Sequence, residues 1–164
     1  MPAQAFLLKN VSLAIDGKVL LHPLDLDLSK GRITALLGHN GSGKSTLLKL
    51  LARQARPSGG RILFDGAPLH QLPDRVFARR VAYMPQQPPD TDELTVRELV
   101  SLGRYPWHGA LGRFSDRDRA MVDRALSRTS LEGLAGRIVK TLSGGERQRA
   151  MVAMLIAQDS DILL

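Results

Sequence analysis

The sequence predicts an α/β fold that opens on an antiparallel β segment, passes through a strand, a glycine-rich loop and a helix, and then carries an inserted block of helices. Three observations predict it. Over 11–15 and 24–28 large apolar side chains alternate with small or polar ones; residues 33–37 are apolar but for Thr34 and run into glycine; and beyond residue 90 the pattern changes to helical periodicity behind two capping boxes.

Taken in order, Val11, Leu13 and Ile15 alternate with Ser12 and Ala14, an Asp16-Gly17 turn follows, and Leu24, Leu26 and Leu28 alternate with Asp25 and Asp27. This predicts two antiparallel strands over 5–28. After a Lys30-Gly31 turn, the run 33–37 reads as a strand buried on both faces. A helix is expected over 44–52, carrying Leu47, Leu48, Leu50 and Leu51 and stopping before Pro57-Ser58-Gly59-Gly60. Short strands are expected at 61–64, before Asp65-Gly66, and at 81–84, before Pro85, Pro88 and Pro89. Thr95 with Glu98 and Ser115 with Asp118 form capping boxes that open helices near 96–102 and 116–128, separated by a loop of glycine, proline and aromatics. A third, very apolar helix is expected over 143–157, and residues 161–164 begin a buried strand.

Bulk composition narrows the function. With 164 residues, 43% hydrophobic and 24% charged, the chain suits one packed domain and is too apolar for intrinsic disorder. No run reaches the roughly 18 apolar residues of a membrane span, and no leader pattern precedes the first strand, so the expected location is the cytosol. The absence of cysteine excludes disulfides and thiolate chemistry, and His22, His39, His70 and His108 lack metal-ligand spacing. A formal charge of +7 could draw nucleic acid, but the arginines are scattered and aromatics make up only 4%, which argues against a nucleic-acid surface.

Gly38-x-x-x-x-Gly43-Lys44-Ser45 fits a phosphate-binding loop, and each fixed position has a physical reason. Gly38, Gly41 and Gly43 let the backbone turn its N–H groups inward around an anion, with His39, Asn40 and Ser42 filling the variable positions. Lys44 supplies a point charge for the β- and γ-phosphates, Ser45 a hydroxyl for Mg²⁺, and the helix that carries Thr46 the positive end of a dipole. The expected ligand is a nucleotide polyphosphate with Mg²⁺. The loop alone does not separate a kinase, a GTPase, a helicase and a transporter motor.

Ser143 and Glu146 make a third capping box, at the mouth of the 143–157 helix, with Gly144 and Gly145 inside its first turn. Each of those glycines weakens a helix by about 1 kcal/mol relative to alanine, so the bare backbone is expected to serve a second anion, a γ-phosphate.

At Leu142-Ser143-Gly144-Gly145-Glu146-Arg147-Gln148 the sequence is similar to the signature motif of ABC ATPases, and with the phosphate loop the resemblance runs along the whole chain. It implies a P-loop NTPase (ABC ATPase) core with an N-terminal antiparallel β subdomain and an inserted α-helical subdomain, incomplete at the C-terminus. The divisions implied are 1–37, 38–89, 90–142 and 143–164 of a single partial domain. It also implies a head-to-tail homodimer in which the signature of one subunit closes on ATP held by the other. Tyr83-Met84-Pro85-Gln86 looks like the Q-loop, with Gln86 reaching Mg²⁺ and the attacking water. Gly103-Arg104-Tyr105-Pro106-Trp107-His108-Gly109 resembles the ATPases of iron-siderophore importers, especially the ferric-hydroxamate, ferrichrome-type system. Two integral-membrane permease subunits on the 90–140 insert, a separate substrate-binding protein and a peripheral place on the cytoplasmic face of the inner membrane follow from that resemblance.

Two departures stand out. The family stacks adenine on an aromatic near Ile15, so base contact here is expected to rest on Ile15 and Val19. The Walker B aspartate and glutamate are expected just after Leu164, which would leave these 164 residues with phosphate contacts and no general base. Alternatives are a soluble, non-transport ABC ATPase and a non-catalytic nucleotide-binding fragment.

Overall fold

A computed structural model describes residues 4–86, 91–109 and 112–164. They form two compact units, Met1–Pro73 and Asp74–Leu164.

The first unit is an antiparallel sheet in the order β2-β1-β3-β4, with one helix. Strands β1 (Gln4–Ile15) and β2 (Lys18–Ser29) form the hairpin expected from the Asp16-Gly17 turn. Strand β3 (Gly59–Phe64) pairs with β1 on its other side, and β4 (Ala67–Pro68) completes the sheet. Alternation along β1, shifted by one residue at the irregularity between Leu8 and Val11 where Asn10 takes φ 52°, buries Phe6, Leu8, Val11 and Leu13, and the Phe6 ring meets Phe64 at 4.9 Å. Helix α1 (Lys44–Leu51) buries Leu47, Leu50 and Leu51.

Residues 33–37 do not form the strand their composition suggests. Leu37 is 88% exposed and Ile33 fully so, with no ladder partner among the described residues. A strand with two apolar faces needs neighbours on both edges, and the open sheet β2-β1-β3-β4 supplies none to it.

The second unit packs helices around one core. Val96, Leu99 and Val100 of α3 (Val96–Leu102), Val122, Ala125 and Leu126 of α5 (Asp116–Arg128), and Ala150, Met151, Ala153 and Ala157 of α6 (Gly144–Gln158) are all buried together. The three capping boxes, Thr95–Glu98, Ser115–Asp118 and Ser143–Glu146, are all formed.

Two short helices were not expected: α2 (Asp74–Arg80), and α4 (Tyr105–His108) within the segment read as a loop. The predicted strand at 81–84 is shorter, β5 (Val81–Ala82), paired in parallel with β6 (Ile162–Leu163); Met84 N donates to Leu164 O at 2.9 Å and extends the contact. The last strand is not buried as expected, since Leu163 is 59% exposed. Pro88, Pro89 and the 89/90 boundary lie outside the described residues.

Candidate functional site

Residues 38–43 turn onto the N-terminus of α1, and Lys44 closes the turn from within. Its Nζ donates to Gly38 O at 2.8 Å and His39 O at 2.7 Å, and lies 3.3 Å from Ser42 Oγ. His39 Nδ1–H donates to Asn40 O, and Ser42 N to His39 O. Gly41 and Gly43 take φ of 83° and 89°, a region that disfavours side chains. At Gly43 a Cβ would also meet Leu21 Cδ1 at 3.0 Å and Leu20 O at 3.2 Å, so β2 backs the loop directly.

The N-terminus of α1 differs from those of α3, α5 and α6. Each of the latter has a Ser or Thr cap and an acid in its first turn; α1 has Gly43 as N-cap, no side-chain cap and no acid. Its first N–H groups and the positive end of its dipole therefore face solvent, with one ammonium beside them. That is a fit for an anion, and Lys44 gains by exchanging neutral carbonyls for charged oxygens. For a metal, the exposed Ser45 hydroxyl is the donor this end presents. Among the described residues no cluster of three His, Cys, Asp or Glu could hold an ion, so a divalent cation would have to arrive with the polyphosphate. Thr46 follows Ser45, half-buried. Ile15 and Val19 sit at the hairpin end, 52% and 50% exposed.

The start of α6 is built otherwise. Ser143 Oγ and Ser143 N both reach Glu146 Oε2 at 2.8 Å, while Glu146 N donates to Ser143 Oγ at 3.4 Å. These bonds, the backbone one foremost, hold the Glu146 carboxyl below its usual range, helped by Arg137 and Arg149. Gly144 and Gly145 have no heavy atom within 4 Å of a notional Cβ and no unusual φ. Neither packing nor backbone geometry requires glycine at either position. Gln86, exposed, stands four residues past β5.

Thus the structure sets residues 38–46, Ile15 and Val19 in one unit, and Gln86 and residues 143–146 in the other.

Sequence reasoning missed a group of side chains around the Gly103–Gly109 motif. Tyr105 is exposed, whereas Arg104 is 1% exposed and ion-pairs with Asp118 at 2.9 Å. Arg104 also donates to Ala157 O at 2.7 Å and lies 4.9 Å from the centroid of the Trp107 ring. Burial pushes the Asp118 carboxyl up, but hydrogen bonds from the Ser115 hydroxyl and amide and from Arg104 outweigh it and hold the group at about 2.

With its folded-state value depressed, Asp118 contributes stability that is fully present above about pH 4 and lost as pH falls through about 2. Asp118→Asn is expected to cost about 3 kcal/mol at pH 7, because Arg104 is left buried without its counter-charge. The difference should shrink towards pH 2. Urea unfolding at pH 7 and pH 2.5 measures both; an equal difference at the two would refute the assignment.

The ABC transporter family model matches residues 21–164. The chain is 44% identical to a probable siderophore transport system ATP-binding protein of Bacillus subtilis (strain 168), over all of this chain and 60% of that protein. It is 42% identical to an achromobactin transport ATP-binding protein of Dickeya dadantii (strain 3937), over 95% of this chain and 58% of the relative. The chain thus spans about three-fifths of the length of these relatives. Among solved structures, a metal-chelate type ABC transporter in an inward-facing conformation superposes with a TM-score of 0.80 at 30% identity, covering 98% of this chain and 58% of the other.

Proposed function

The chain belongs to the ABC transporter family, and from that premise we propose that it is the ATP-binding and hydrolysing subunit of a ferric-siderophore importer, working as a head-to-tail homodimer. Residues 38–46 of one subunit take the phosphates of ATP, Ser45 and Gln86 face Mg²⁺, and Ser143, Gly144, Gly145 and Glu146 of the second subunit close on the γ-phosphate. Ile15 and Val19 offer the adenine an apolar face. One observation carries this reading: the two glycine-bearing helix starts are treated oppositely, α1 left without a cap, and α6 capped but carrying two glycines with open space before them.

The siderophore class rests on similarity to proteins named for siderophore and achromobactin transport. A ferrichrome-type, hydroxamate cargo remains the finer part of the proposal, carried by the Gly103–Gly109 motif. Two permease subunits would dock on the helical unit, where Leu102 and Tyr105 expose apolar surface, and would hold the subunit at the cytoplasmic face of the membrane; a substrate-binding protein would deliver the chelate. The reading assigns no general base to these 164 residues, so the catalytic carboxylate comes from the part of the full-length subunit beyond them.

In the full-length subunit, Lys44→Ala should reduce nucleotide affinity at least tenfold and abolish uptake, whereas Ser143→Arg should keep nucleotide affinity within about twofold and stop hydrolysis. Equilibrium binding of a fluorescent nucleotide, together with phosphate release, separates the two. Hydrolysis surviving Ser143→Arg would sink the shared site.

A further inference from the structure

We infer that Gln158 is a positioning residue, which ties the C-terminal end of α6 to the strand leading into Gln86 and so couples the two ends of the nucleotide-facing apparatus in this unit. The inference rests on the hydrolytic reading above and adds to it a residue outside every motif.

Gln158 is the last residue of α6. Its side-chain Nε2 donates to Ala78 O at 2.5 Å and to Val81 O at 3.1 Å. Ala78 lies in the last turn of α2, so one of these bonds satisfies a carbonyl the helix leaves open; Val81 begins β5, so the other grips the strand itself. The backbone of Gln158 is held from the opposite side: its carbonyl accepts from Trp107 Nε1 at 2.7 Å and from Arg104 at 3.5 Å. Trp107 is fixed in turn, since Arg75 and Arg79 each donate to Pro106 O and Trp107 O, and Arg79 lies 5.0 Å from the centroid of its ring.

The placement of this joint gives it consequence. β5 pairs with β6 at Val81–Ile162 and Ala82–Leu163, so Gln158 grips the first residue of that parallel ladder. Gln86 follows four residues after β5, and Ser143 caps the far end of α6, about 22 Å away along a 15-residue helix. A displacement of the strand at Val81 therefore reaches Ser143 as a rigid movement of α6, joined to it through the amide of Gln158.

The test uses two variants of the full-length protein. Gln158→Met keeps the length of the side chain and removes both donors; Gln158→Lys restores a donor able to reach two carbonyls. Gln158→Met is expected to lower kcat for ATP about tenfold with KM within twofold, and to speed amide exchange in residues 83–86 at least fivefold. Gln158→Lys is expected to recover both to within threefold of the parent. Unchanged exchange at 83–86 in Gln158→Met overturns the inference whether or not ATP turns over, as does equal damage from the two variants, which would mark a packing role alone. Absence of hydrolysis in the parent would instead count against the function proposed above, leaving the exchange result to decide this one.

Discussion

Gly103→Ala is expected to cost the helical unit about 3 kcal/mol or more and to lower its melting temperature by at least about 10 °C. Gly103 is the C-cap of α3, at φ −58°, where any residue is conformationally at ease. The obstacle is contact. A Cβ there would stand 2.2 Å from Met154 O and 3.1 Å from Gln158 N, within the last ladder step of α6. A backbone carbonyl cannot rotate away as a side-chain terminus can. Either the two helices separate and open the core they share, or α6 loses its final turn and with it the grip on Val81. Gly133→Ala, where nothing lies within 4 Å, is the matched control and should be close to neutral. Thermal unfolding followed by far-ultraviolet circular dichroism compares them, and a Gly103→Ala transition within 2 °C of the control would contradict the contact.

Gly144→Ala and Gly145→Ala should have the opposite effect on stability, and a large one on activity. Each new methyl enters open space on an ordinary helical backbone, so each is expected to stabilise α6 by up to about 1 kcal/mol. In the dimer proposed above the same methyl would occupy the space that a phosphate of the other subunit's nucleotide needs. ATP turnover should then fall at least a hundredfold while the protein melts higher. A variant that is both more stable and fully active would show that nothing approaches these residues closely.

These two cases also show where sequence reading succeeds. The capping boxes at Thr95, Ser115 and Ser143 were legible because donor and acceptor lie three residues apart, and the β1–β2 hairpin because Asp16-Gly17 dictates its turn. The residues at the phosphate loop and the start of α6 were legible for the same reason, since each group is contiguous. Residues 33–37 misled because an apolar run states a preference for burial, while its fulfilment depends on strands distant in sequence. Helix α2 buries Phe77 alone, which leaves no periodicity to detect. Helix α4 carries Pro106 at its start, where proline is tolerated but was read as a breaker. Gln158 was out of reach altogether: its partners Ala78 and Val81 lie 80 and 77 residues away.

Trp107 is the chain's single tryptophan, and Arg79, Arg104 and Arg117 all lie within 6 Å of its ring centroid. Its indole is thus an intrinsic fluorophore ringed by guanidinium groups, with its N–H committed to the Gln158 carbonyl. All four neighbours come from Asp74–Leu164, so the emission reads the state of the corner where α2, α4 and α6 meet. The protein comes already labelled at the joint whose movements matter most, and stopped-flow emission can time that joint against phosphate release without an added dye.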